Sequence, residues 1–133
     1  MFNNKKRGNK FEEDIANKLS KLGYWCTLLQ CAKGSNSQPA DIIACKDNKV
    51  WLIDCKLLNN KYGTFTLERA EENQILAYKR FKKCGNENYF YAILWKNDVY
   101  LIPMFDILFE EKKSINIKKY ISIWRNFYEN KNW

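Results

Sequence analysis

Apolar residues recur at helical spacing near the start of the chain and give way to strand-like runs further on. Phe11, Ile15, Leu19 and Leu22 form one stripe, so a helix is predicted over 9–21, ended by Gly23. The ten residues at the start, with Lys5, Lys6, Arg7 and Lys10, read as a flexible basic arm. Strands are predicted over 24–31, 41–46 and 49–56, the last two joined by the turn Asp47-Asn48. Thr66 reads as the N-cap of a second helix closing near Gly85, with Leu67, Ala70, Tyr78 and Phe81 as its stripe. Residues 88–95 and 99–102 form another predicted hairpin, and Pro103 is placed to open a short helix. Ile117, Tyr120, Ile121, Trp124 and Tyr128 keep a helical period toward the C-terminus. This order of elements predicts an α/β (α+β) fold, a mixed central sheet with helices packed on it.

Strand 49–56 carries the candidate chemistry. Val50, Leu52, Asp54 and Lys56 share one face, and Trp51, Ile53 and Cys55 the other. Both faces stay apolar until the end, as in a central strand covered on both sides. Asp54 and Lys56 then emerge together. Asp41 leads the preceding apolar run, and pairing across the short turn brings it near Asp54. Two carboxylates and an amine on one sheet edge are costly as structure and well suited to holding a divalent cation beside a phosphodiester. The plainer reading is an Asp-Lys pair capping a strand. Glu12 borders the first helical stripe and is the candidate third acid, although the helix dipole alone also favours an acid there. Gln74 sits mid-stripe in the second helix, and its amide must be satisfied. Its partner could be a carboxylate, a metal-bound water, a phosphate or a backbone carbonyl. Tyr78, one turn on, either donates to a phosphate or packs.

Composition narrows the choice. The chain has 133 residues, a length suited to a single domain, and 46% hydrophobic residues argue against disorder. With no histidine, His acid–base catalysis, Ser-His triads and His-ligated zinc are excluded. Five cysteines without a C-x-x-C pair fit a reduced cytoplasmic protein better than a disulfide framework. No apolar run reaches membrane-spanning length. A net charge of +8 points to a polyanion, though a Lys-, Asn- and Ile-rich composition accounts for part of it. The candidates for contact with a polyanion's phosphates are Lys5, Lys6, Arg7 and Lys10, then Lys79, Arg80, Lys82 and Lys83, with Ser35 and Ser37 in the loop before Asp41.

Together these residues resemble the PD-(D/E)xK nuclease superfamily: a helix acid, then P-D, then (D/E)-x-K on adjacent strands. Residues 5–12 are similar to the opening of cellular and phage Holliday junction resolvases, where a basic stretch and a glycine precede the helix glutamate. Pro39-Ala40-Asp41-Ile42 and Ile53-Asp54-Cys55-Lys56 match the two strand motifs in order and spacing, and Gln74 with Tyr78 resembles a Q-x-x-x-Y element. The resemblance runs from residue 5 to about 80. Ala40 separates proline from aspartate, Asp54 replaces the glutamate common in resolvases, and Asn9 stands where they often carry serine. The resemblance implies a restriction-endonuclease-like sheet and a metal-dependent endodeoxyribonuclease that resolves four-way junctions by paired nicks as a homodimer. Glu12, Asp41, Asp54 and the main-chain carbonyl of Cys55 would hold Mg²⁺, with Mn²⁺ able to substitute. Lys56 would stand beside the nucleophile, and Gln74 would position a water or phosphate. The alternatives are a flap, repair or restriction nuclease on branched or duplex DNA, or a non-catalytic nucleic-acid-binding module.

Overall fold

In the computed structural model, which describes residues 4–29, 38–110 and 112–129, helix α1 runs over Asn4–Lys21. The predicted basic arm is therefore mostly helix: the backbones of Lys5, Lys6 and Arg7 lie in its first turns. Lys and Arg are good helix formers, and a helix once nucleated extends into such a stretch. Phe11, Ile15 and Leu19 are buried, whereas Leu22 is exposed because the helix has ended. Gly23 takes φ +92°, its N–H donates to Ser20 O, and the Tyr24 N–H donates to Leu19 O. This is a Schellman stop that needs the glycine.

Strands β1 (Trp25–Leu28), β2 (Ile42–Lys46) and β3 (Lys49–Leu57) follow as an antiparallel meander. Asp47 and Asn48 take φ 52° and 63°, the positive values of a two-residue type I′ hairpin, which fixes the β2–β3 register. The same turn, at Lys96 and Asn97, joins β5 (Tyr89–Trp95) to β6 (Asp98–Pro103). Between the hairpins lie β4 (Thr64–Thr66), a 3₁₀ turn at Leu67–Arg69, and helix α2 (Glu72–Lys83). Thr66 thus does not cap α2, and its side chain makes no cap bond. The cap is Glu71, which forms a capping box with Gln74. Pro103 precedes the short helix α3 (Met104–Leu108), as expected.

The predicted C-terminal helix does not form. Instead β7 (Ser114–Asn116) pairs with β4, a 3₁₀ turn spans Ile117–Lys119, and β8 (Ser122–Trp124) pairs with β6. Partners distant in sequence override the local period here. Ile121, placed on the predicted stripe, is 83% exposed.

The main sheet has the order β1-β2-β3-β5-β6-β8, with β3 and β5 its one parallel pair. The α2 segment makes the crossover that a parallel pair requires. One face carries α1, whose Phe11, Ile15 and Leu19 meet Ile42, Ile53 and Ala92. The other carries Tyr78 of α2, Met104 and Ile107 of α3, and Phe65 and Ile115 of the small sheet, all against Leu52, Tyr89 and Tyr91. This is the expected mixed sheet flanked by helices, with β3 central. Among the described residues no helix is long and apolar enough to cross a membrane.

Candidate active site

The hairpin register builds the site. Ile42 faces Ile53, so Asp41 stands across from Asp54 one step further out. The Asp41 N–H continues the ladder to Ile53 O at 3.1 Å. Its carboxylate is fixed at both ends: Oδ2 accepts the Cys55 N–H and Oδ1 accepts the Gln38 side-chain amide, each at 2.8 Å. Asn73 of α2 donates to Gln38 O, tying that approach segment to the helix. Asp54 is 3% exposed. Its Oδ2 lies 3.2 Å from Lys56 Nζ as an ion pair and has no further hydrogen-bond partner among the described residues. Lys56 also stands 4.0 Å from Glu71 Oε2. Glu12, reaching from α1, completes the lining of one cavity of about 830 Å³ with Gln38, Asp41, Asp54, Lys56 and Gln74.

Crowding acids into this cavity has an electrostatic cost. Burial, then the charge of Asp41, pushes the Asp54 carboxyl up to about 8, although Lys56 pulls the other way. The same two causes push Glu12 up to about 7. The Cys55 thiol is driven well above its ordinary value, by burial first and then by Asp41, Asp54 and Glu12. A thiol is in any case a soft ligand, so the atom Cys55 would offer a hard cation is its main-chain carbonyl oxygen. A divalent cation would relieve the repulsion among these carboxylates and add to the ion pair that Asp54 Oδ2 makes with Lys56. The donors are hard oxygens, the class Mg²⁺ prefers. Among the described residues no three His, Cys, Asp or Glu side chains are already arranged to hold a metal ion.

The structure thus brings Glu12, Asp41, Asp54, Cys55, Lys56 and Gln74 to one cavity. Gln74 is buried there, and its oxygen accepts from the Tyr91 hydroxyl at 2.6 Å and from the Glu71 N–H at 3.3 Å. Its side-chain bonds therefore secure the helix start and Tyr91, and none of those described reaches Glu12, Asp41 or Asp54. Tyr78 corrects the expectation of a phosphate contact. It is 2% exposed and packs edge-on against Tyr89, because the stripe it belongs to faces the sheet. Lys79, Arg80, Lys82 and Lys83 are exposed on α2, Lys82 within 3.7 Å of Glu87. Lys10 is exposed and pairs with Asp14. Ser35 and Ser37 lie outside the described residues. Sequence reasoning passed over Gln38, Glu71, Asn73 and Arg69. Arg69 feels the Asp54 charge, while burial, the larger cause, lowers its pKa. The polar Gln38 beside Pro39, at the mouth of an apolar strand, was the one local signal.

The resolvase Hjc of Archaeoglobus fulgidus, described as a Holliday junction resolvase from an archaeal hyperthermophile, superposes with a TM-score of 0.62 at 17% identity. The match covers 86% of this chain and 93% of that one. The bacterial homing endonuclease I-Ssp6803I matches with a TM-score of 0.55 at 14% identity, over 86% and 75% of the two chains. No curated protein matches the chain in sequence. The fold is that of the restriction-endonuclease-like nucleases. The archaeal Holliday junction resolvase (Hjc) model matches residues 3–129, and the chain belongs to that family of nucleases.

Proposed function

We propose that the protein is a Mg²⁺-dependent endodeoxyribonuclease that resolves four-way DNA junctions by paired symmetric nicks, working as a homodimer. The observation that carries this reading is the convergence of Glu12, Asp41, Asp54 and Lys56 on one cavity in a chain of the Hjc family. Glu12, Asp41, Asp54 and the Cys55 carbonyl would hold the cation. When bound, Mg²⁺ would lower the pKa of a bound water and offset charge on the reacting phosphate. The chain does the rest. Gln38 and the Cys55 N–H stop Asp41 from rotating. Lys56, 16% exposed at its side chain, presents a compact positive charge next to Asp54, where charge builds on the phosphorane oxygens. Mobile junction arms need affinity without sequence, and the exposed lysines and arginine of α2 supply phosphate contacts of that kind. A two-fold dimer would present two such cavities to two symmetry-related phosphates.

The test is cleavage of end-labelled four-way junctions, flaps and linear duplex in Mg²⁺ by wild type, Asp54→Asn and Lys56→Ala. Paired nicks at matching positions of the junction, lost in both variants, are expected. Equal activity in all three proteins would remove this site. A single cut on flap or duplex would move the assignment to another nuclease of the same fold.

A further inference from the structure

A second cavity, of about 570 Å³, adjoins the first along β3 and shares Cys55 and Lys56 with it. Resting on the nuclease reading above, we propose that this cavity is a phosphate subsite: it holds a backbone phosphate next to the scissile one on the cleaved strand, and Arg69 is its anchor.

Arg69 lies in the 3₁₀ turn between β4 and α2, half-buried. One Nη donates to Leu57 O at 3.0 Å, and the guanidinium lies 5.2 Å from the centre of the Phe65 ring. These two contacts hold the group flat while leaving most of its donors uncommitted, since a guanidinium carries five N–H. A planar, pre-set fork of this kind matches phosphate oxygens. Thr66 also lines the cavity, and its hydroxyl is not used as a helix cap. Asn60 spends its oxygen and one N–H in closing the 60–64 loop on Gly63 and Thr64, which leaves Arg69 as the charged donor of the cavity besides Lys56. Gly8 forms part of the wall, so the N-terminal half of α1 borders the same space. Lys56 stands between the cavities. A strand whose scissile phosphate faces Lys56 in one cavity would lay a neighbouring phosphate in the other.

A purely structural tether would equally explain the Leu57 and Phe65 contacts, so the experiment reads phosphate charge. Junctions carrying one neutral methylphosphonate at each phosphate flanking the cut would be bound in Ca²⁺ and cleaved in Mg²⁺ by wild type, Arg69→Gln and Arg69→Lys. In wild type one flanking replacement should weaken binding about tenfold or more, the scale of a charge-assisted bond. Arg69→Gln should lose a similar factor on the unmodified junction and be insensitive to that replacement. Arg69→Lys should fall between. The proposal is overturned if no flanking replacement affects wild type, or if Arg69→Gln keeps the wild-type penalty. Should Arg69→Gln fail to fold, Arg69→Lys carries the same comparison, and an unchanged wild-type penalty in it overturns Arg69 as the anchor. Failure of wild type to cut the unmodified junction would sink the nuclease reading, while the Ca²⁺ scan still judges the subsite.

Discussion

The acid edge of the sheet and the basic end of α2 hold charge in opposite ways. At the acid edge Asp54 is 3% exposed, Asp41 is held by two donors, and Lys56 is confined beside them. At the far end of α2, Lys79, Arg80, Lys82 and Lys83 are exposed, and the described ion pair there, Lys82 with Glu87, is a surface contact of 3.7 Å. Surface pairs contribute little, whereas buried like charges are expensive unless something compensates them. Rigid, costly charge marks where chemistry is proposed. Loose, solvated charge marks where affinity without specificity is proposed.

The largest effect separating the regions should come from Asp54→Asn and Lys56→Ala. Each is expected to lower single-turnover junction cleavage by about 10²–10³-fold or more while leaving junction binding within a few-fold, as read in a gel-shift and cleavage pair. A comparable loss of binding would erase the distinction.

The next effect is on stability. In the metal-free protein Asp54 and Glu12 titrate near pH 8 and 7, well above ordinary carboxylates. Between roughly pH 4 and 8 the folded state therefore binds more protons than the unfolded one, and these groups make stability fall as pH rises through that window. Asp54→Asn should flatten the fall, and Mg²⁺ should offset it in wild type. Urea melts from pH 5 to 8.5, with and without Mg²⁺, check both.

A smaller effect is expected from Lys79→Ala combined with Lys83→Ala. Affinity should drop by similar factors for junctions of unrelated sequence, with the log–log salt slope shallower by about 0.9 per lost phosphate contact. Turnover of bound junction should be unchanged. The smallest effect concerns the start of α1. A methyl at Gly8, inside helix α1, would meet nothing within 4 Å, so Gly8→Ala should stabilise the fold by about 0.5–1 kcal/mol. An unchanged or lowered midpoint in the urea melt would contradict this.

The acid edge was legible in the sequence for a physical reason. A two-residue turn at Asp47-Asn48 admits one register, and that register alone sets Asp41 opposite Asp54. Glu12 followed from the helical stripe it borders. What stayed hidden depends on segments distant in the chain. Arg69 seemed to belong to a helix because the β4–β7 pairing that ends the strand at Thr66 draws on residues 114–116. Gln38 gains its meaning from a bond to Asn73, 35 residues on. The spacing of Ile117, Tyr120 and Trp124 imitated a helix, but one is buried at a 3₁₀ turn and another sits on an edge strand. Local period carries no information about such partners.

The central claim is that the repelling carboxylates form a cation site. Calorimetric titration of Mg²⁺ at pH 7, in two buffers of different ionisation enthalpy, counts the protons displaced on binding. Wild type should bind Mg²⁺ and release protons from Glu12 and Asp54, and Asp54→Asn should bind more weakly and release fewer. Mg²⁺ binding with no proton release, or binding and release indifferent to Asp54→Asn, would contradict the account.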